Sequence, residues 1–170
     1  MIDRLWAGWR IPYVENDERA HERHRANAMS LFEGIEQSGL PDEQTYVLWR
    51  GERCFALLNA FPYTSGHVMV LPLRAVPELE LLDDDEHAEL WRGVRAAVRA
   101  VKAAYNPDGV NVGVNLGVAA GAGVPDHLHV HVLPRWQADT NFTTAVAEMR
   151  VLPETLSSTW QKLVDAWPVD

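Results

Sequence analysis

Cysteine is almost missing from this sequence: its 170 residues include one, Cys54. That excludes an intrachain disulfide framework and a cluster of cysteine metal ligands. Long hydrophobic runs are missing too. The most apolar stretches, at 55–58 and 68–73, are far too short to cross a bilayer. The first residues, from Met1 to Trp6, hold no signal-peptide hydrophobic core. A soluble, cytoplasmic protein with no membrane partner is expected. Basic charge is scarce, with 15 Lys+Arg against 24 Asp+Glu and a formal net charge of −9. No basic stripe is available to release counterions, so no nucleic-acid partner is expected. Polyanions in general gain no attraction from such a chain, but field strength is local and a small site can still hold phosphate.

What is present fits one globular domain. Hydrophobic residues make up 47% and charged residues 23%, an ordinary balance for a chain that buries a core. No repeat, low-complexity tract or Gly/Ser linker divides it. The expected layout is a single domain over 1–170, with an N-terminal arm at 1–28, a core at 29–136 and an extension with a closing helix at 137–170. The arm is apolar at Trp6, Trp9, Ile11 and Tyr13 and charged over 15–28. A short helix is expected within 29–39, stopping at Gly39. Strands are expected at 45–49, 54–58, 67–71, 110–116 and 127–133. Pro72 is expected to end the third. Asn59 to Gly66 reads as a loop. Acidic residues at 83–86 begin a helix over 83–105, in which Leu90, Val94, Val98 and Val101 recur at helical spacing. Leu156, Trp160, Leu163 and Trp167 share one face of a closing helix over 152–167. Consecutive strands on short turns favour an α+β domain: an antiparallel five-stranded sheet with helices packed on one face.

The most informative residues are His127-Leu128-His129-Val130-His131-Val132-Leu133. Side chains on an extended chain alternate faces, so His127, His129 and His131 share one face and Leu128, Val130 and Val132 the other. Three readings compete. A solvated face rich in histidine is one. A metal site is the second, because imidazole is a common ligand, although no second cysteine or His-Glu-x-x-His pattern supports it. The third is a phosphate-handling site, because neutral imidazole is a nucleophile and an acid/base group near neutral pH. The preceding stretch from Asn115 to Gly123 favours the third. It is dominated by small residues, which let backbone amides approach phosphate closely.

The triad pattern resembles the histidine-triad (HIT) superfamily of nucleotidyl hydrolases and transferases, whose signature of alternating histidine and apolar residues is matched throughout 127–133. Leu58-Asn59, followed by Ser65-Gly66-His67-Val68-Met69-Val70-Leu71-Pro72, is similar to the family's nucleotide-binding strand pair. The stretch 127–135 resembles the fragile-histidine-triad branch. Arg4 to Arg10, and Trp136 with 139–142, resemble an actinobacterial-type subgroup acting on diadenosine tetraphosphate, including by phosphorolysis. The resemblance implies that His129 attacks the α-phosphorus, that His131 binds the phosphate and that His127 orients its neighbour's imidazole by its own hydrogen bond. It implies that His67 and Asn115 lie near the phosphates and that Asn59 meets the ribose. Gly121 and Gly123 would contribute backbone contacts. Substrates would be purine nucleotides or dinucleoside polyphosphates, with water or inorganic phosphate as second acceptor, in a homodimer. Nucleoside phosphoramidate or adenylyl-sulfate hydrolysis, a nucleotide-binding module with little activity, and a metal-dependent enzyme are the alternatives. The triad itself requires no cofactor, though a divalent metal can ride on the substrate.

Two departures stand out. Many bacterial relatives bind structural zinc through a Cys-x-x-Cys and a later histidine. The matching positions here are Met29, Phe32 and Ala75, so no structural zinc is expected. The loop before the triad, 121–126, lacks the family's frequent Gln, Ser or Thr. Elsewhere, His21, His24 and His87 are expected on the surface, Cys54 is expected to be inert, and Trp136 is expected to pack. Arg74 and Arg135 either meet phosphate or are merely solvated.

Overall fold

The computed structural model describes residues 29–139 and 152–168. The expectations for the arm at 1–28, including His21 and His24, lie outside the described residues. So do those for 140–142. Helix α1 spans Leu31–Glu36 and α2 Asp42–Thr45, followed by strands β1 Val47–Arg50, β2 Cys54–Leu58 and β3 Val68–Pro72. Helix α3 spans Asp84–Tyr105, then come β4 Gly109–Val114, β5 Val130–Arg135 and helix α4 Leu156–Ala166. The five strands form one sheet in the order β1-β2-β3-β5-β4, and every neighbouring pair is antiparallel.

Alternation along the strands sorts the core into two clusters. Ala56, Leu58, Val68, Val70, Val130 and Val132 face α3 and α4, where they meet Leu90, Val94, Val101 and Leu163. Each such valine or leucine side chain gains about 1.5–3 kcal/mol by burial. Gly93 lets α3 lie directly on the sheet, since a Cβ there would sit 2.9 Å from Val70 Cγ1. Phe55, Leu57, Met69 and Leu71 point to the other face and pack with Phe32 of α1. The two longer helices therefore cover one face, and short α1 closes part of the face that carries the histidines.

Helix starts follow local chemistry. Ser30 caps α1 and Asp83 caps α3, each with the reciprocal Glu side chain of a capping box. Thr155 caps α4 through the Ser158 amide. Trp160 Nε1 ties α4 to the Val47 carbonyl at 2.8 Å. Thr45 belongs to α2, and Tyr46 at φ 57° turns the chain into β1. Pro72 is the last residue of β3, paired with Cys54, rather than a residue beyond it. The fifth strand begins at Val130, three residues later than expected. His127 and His129 lie on its extended approach, where the Leu128 amide bonds the Val76 carbonyl at 2.7 Å.

Candidate active site

The structure gathers four imidazoles on one face, at the point where β3, β5 and the approach to β5 meet. His131 is paired with Met69, and the rings of His67 and His131 lie 5.0 Å apart, with His129 4.9 Å beyond. Phe32 touches both His127 and His129, at 5.5 Å between centroids in each case. All four histidines are buried. Burial pushes the His127 and His129 pKa values below the ordinary range. For His131, burial and then the His129 charge lower it to about 4. The three rings of 127, 129 and 131 are therefore neutral at neutral pH, and each has one N–H and one lone pair.

Their partners decide which nitrogen carries the proton. A carbonyl can only accept, and a backbone amide can only donate. His127 Nε2–H therefore donates to the Pro72 carbonyl at 2.8 Å, and its Nδ1 accepts from the Ser30 hydroxyl at 2.6 Å. His129 Nδ1–H donates to the His127 carbonyl at 2.8 Å, which leaves the lone pair on Nε2. His67 Nδ1 accepts from the Tyr63 amide at 3.1 Å, so its Nε2–H donates to His131 Nδ1 at 2.9 Å. The remaining proton of His131 sits on Nε2, a buried atom with no hydrogen-bond partner. The site thus presents one nucleophilic lone pair and, one ring away, one unmet donor.

The group of His127 that meets His129 is its main-chain carbonyl, while its ring bonds Ser30 and Pro72. Both nitrogens of His67 are engaged and the residue is 1% exposed, so it meets the triad through its bond to His131. Asn59 is half-buried at the loop end of the β2–β3 hairpin, one residue past the Leu58–Val68 pair. Its amide bonds the His67 carbonyl at 3.0 Å, and its Oδ1 accepts from the Phe61 amide at 2.9 Å, which leaves its NH2 group for a ligand. Asn115 stands one residue beyond the Val114–Val130 pair, alongside His129, and reaches the Gly121 carbonyl at 3.4 Å. Gly121 supplies a left-handed turn at φ 95°, and its amide is spent on the Val118 carbonyl at 2.9 Å. It therefore offers no backbone donor, whereas the Gly123 amide takes no part in that turn.

The other candidates separate clearly. Arg74 holds Glu86 at 2.5 and 2.7 Å, and Arg135 holds Asp139 at 2.6 and 2.7 Å, so both guanidiniums are committed to carboxylates. Trp136 packs edge-on against Tyr105. His87 accepts from Trp91 Nε1 on the surface of α3. Burial pushes the Cys54 thiol up to about 12, which fits an inert residue. Sequence reasoning did not single out Ser30 or Tyr63. The Ser30-x-x-Glu33 spacing marks a capping box, but no local signal shows that the cap reaches across to a histidine.

Residues 41–138 match the HIT domain family, and the chain belongs to that family. AP-4-A phosphorylase of Mycobacterium tuberculosis (strain ATCC 25618 / H37Rv) is 41% identical over 167 residues, covering 98% of this chain and 85% of the relative. Over a shorter stretch, the asymmetrical bis(5'-nucleosyl)-tetraphosphatase of Schizosaccharomyces pombe is 39% identical, covering 55% of this chain and 50% of that one. A crystal structure of a zinc-bound histidine triad family protein from Mycobacterium smegmatis superposes with a TM-score of 0.65 at 25% identity, over 81% of this chain and 91% of that one. The positions expected to match the zinc ligands of relatives do not suit a zinc ion here. Met29 is exposed, Phe32 is packed on the triad and Ala75 has only a methyl group, so no thiolate or imidazole is supplied. Among the described residues, no helix is long and apolar enough to cross a membrane.

Proposed function

We propose that this protein cleaves dinucleoside polyphosphates of the diadenosine tetraphosphate kind at the α-phosphate, with His129 as nucleophile. The carrying observation is the His129 Nδ1–H bond to the His127 carbonyl, which leaves the Nε2 lone pair beside the unmet Nε2–H of His131. The relatives' names support this substrate class. His129 Nε2 forms a bond to the α-phosphorus, and the bond from phosphorus to the bridging oxygen breaks. The nucleoside polyphosphate leaves with the electron pair. The ring gains positive charge, and the His127 carbonyl accepts a strengthened bond from Nδ1–H. The His131 Nε2–H bonds a phosphate oxygen and replaces a hydrogen bond that burial would otherwise cost. Asn59 offers its amide to the ribose, and Asn115 and the Gly123 amide line the phosphate path. In the second half, water or inorganic phosphate attacks phosphorus, the P–N bond breaks and His129 is restored. The imidazoles supply this chemistry, and any divalent ion travels with the polyphosphate.

Product analysis with and without phosphate tests the acceptor. ATP plus ADP formed only when phosphate is present is the expected outcome for a phosphorylase, and ATP plus AMP in its absence is the outcome for a hydrolase. No turnover of diadenosine tetraphosphate under either condition defeats the proposal. A homodimer belongs to the same reading: one side of β4 has no strand partner among the described residues, and Val112 is exposed on it. Light scattering at micromolar concentration checks it, and a monomer speaks against it.

A further inference from the structure

We infer that Ser30 is a positioning residue for the nucleophile: by donating its hydroxyl to His127 Nδ1, it holds that ring on Pro72 and so fixes the carbonyl that aims His129. This rests on the proposed role of His129. Ser30 Oγ already accepts the Glu33 amide at 3.1 Å. Its one proton is then free to point at the imidazole 2.6 Å away. The same short helix clamps the neighbourhood in other ways. Glu33 takes the Ser30 amide with one oxygen and the Ala75 amide with the other, each at 2.9 Å, and Phe32 lies against His127 and His129. The segment 72–76 is joined from the other side by the bonds from His127 Nε2 to Pro72 and from the Leu128 amide to Val76. Helix α1, the end of β3 and the approach to β5 are thus one hydrogen-bonded unit. His127 is 0% exposed, so it cannot touch substrate. What it can transmit is the place of its own carbonyl.

The groups facing His127 are few. Glu33 faces it from α1 and His129 from its own segment, and β3 offers the Pro72 carbonyl. Arg74, on the same segment, is held by Glu86. A hydroxyl at position 30 keeps the neutral ring with its proton on Nε2. A carboxylate there caps the helix equally well but can only accept a hydrogen bond, so it pairs with a protonated ring.

Three variants separate helix capping from positioning. Melting temperature, kcat and KM for diadenosine tetraphosphate are measured from about pH 5 to 9, well below the melting temperature of each variant. Ser30→Thr keeps both functions and matches the parent. Ser30→Ala lowers kcat about 10- to 100-fold with KM within about twofold, as loss of a supporting hydrogen bond to a site residue does. Ser30→Asp melts like the parent but gains an alkaline limb. Above the raised pKa of His127 the ring loses a proton, keeps its N–H toward the carboxylate and abandons Pro72, and kcat falls. If Ser30→Ala retains full kcat, or Ser30→Asp follows the parent at every pH, the inference is overturned and Ser30 is only a cap. His129→Ala is measured alongside. Turnover surviving in that variant overturns the proposed function itself, whereas a dead His129→Ala beside a fully active Ser30→Ala overturns the Ser30 inference alone.

Discussion

His127 and His131 flank the same imidazole and are buried to nearly the same degree, but their hydrogen bonds end differently. His127 has a carbonyl on one nitrogen and a hydroxyl on the other. His131 receives one bond from His67 and leaves Nε2–H unmet. A buried polar atom without a partner costs about 1–3 kcal/mol, and the fold keeps that cost on only one side of His129. A satisfied imidazole holds the frame. In the proposed reaction, the unsatisfied one meets an oxygen that arrives with substrate. Spacing in the sequence makes the two equivalent, and the difference lies wholly in their non-local partners.

Apolar replacement breaks the comparison most sharply. His131→Leu is expected to lower kcat/KM about 10²–10³-fold, the usual cost of one lost donor to developing charge, while the melting temperature changes little, because the orphan Nε2–H of His131 is removed as the buried Nε2–H of His67 loses its acceptor. Steady-state kinetics with a thermal melt checks both. His127→Leu is expected to do the reverse in stability. It strands the Pro72 carbonyl and the Ser30 hydroxyl and costs about 2–4 kcal/mol, read as a shifted urea midpoint. Equal stability losses in the two variants would erase the distinction.

Acid sharpens it. The folded pKa values of His127, His129 and His131 are lowered by burial, so the unfolded chain binds more protons as the pH falls below about 6.5. Stability is full above that value, declines as the pH falls, and for His131 the decline continues to about 4. Glu33 and Glu86 are held below their ordinary values, Glu33 chiefly by backbone hydrogen bonds and Glu86 by Arg74. Their contribution is lost only at lower pH, so the interval just below 6.5 isolates the histidines. A urea midpoint that stays flat there contradicts the neutral, buried triad. The smallest effect belongs to the opposite face of the sheet. Thr155→Ala removes the cap of α4 and is expected to cost about 1 kcal/mol with kcat unchanged.

Much of the frame was legible because its signals are local. The span of β2 matched its apolar run, and α3 began at the acidic cap that the sequence announced. Period-two alternation placed Val130 and Val132 in the core and the histidines on the opposite face. The ends of elements were less legible. Thr45 was drawn into α2 and His127 out of β5, because pairing with a distant strand decides where a ladder begins. The surroundings of His127, His67 and Gly121 were beyond the sequence for the same reason. They rest on Pro72, Ser30, Tyr63 and Val118, contacts that spacing within the motif does not encode.

The most direct test of the central claim is to look for the covalent intermediate. The protein is quenched in alkali during turnover of diadenosine tetraphosphate, and its peptides are mapped by mass spectrometry. One adenylyl group per chain on the His129 peptide, discharged on incubation with water or phosphate, is the result expected. An adduct on another residue, or a single turnover completed with none, would contradict the account.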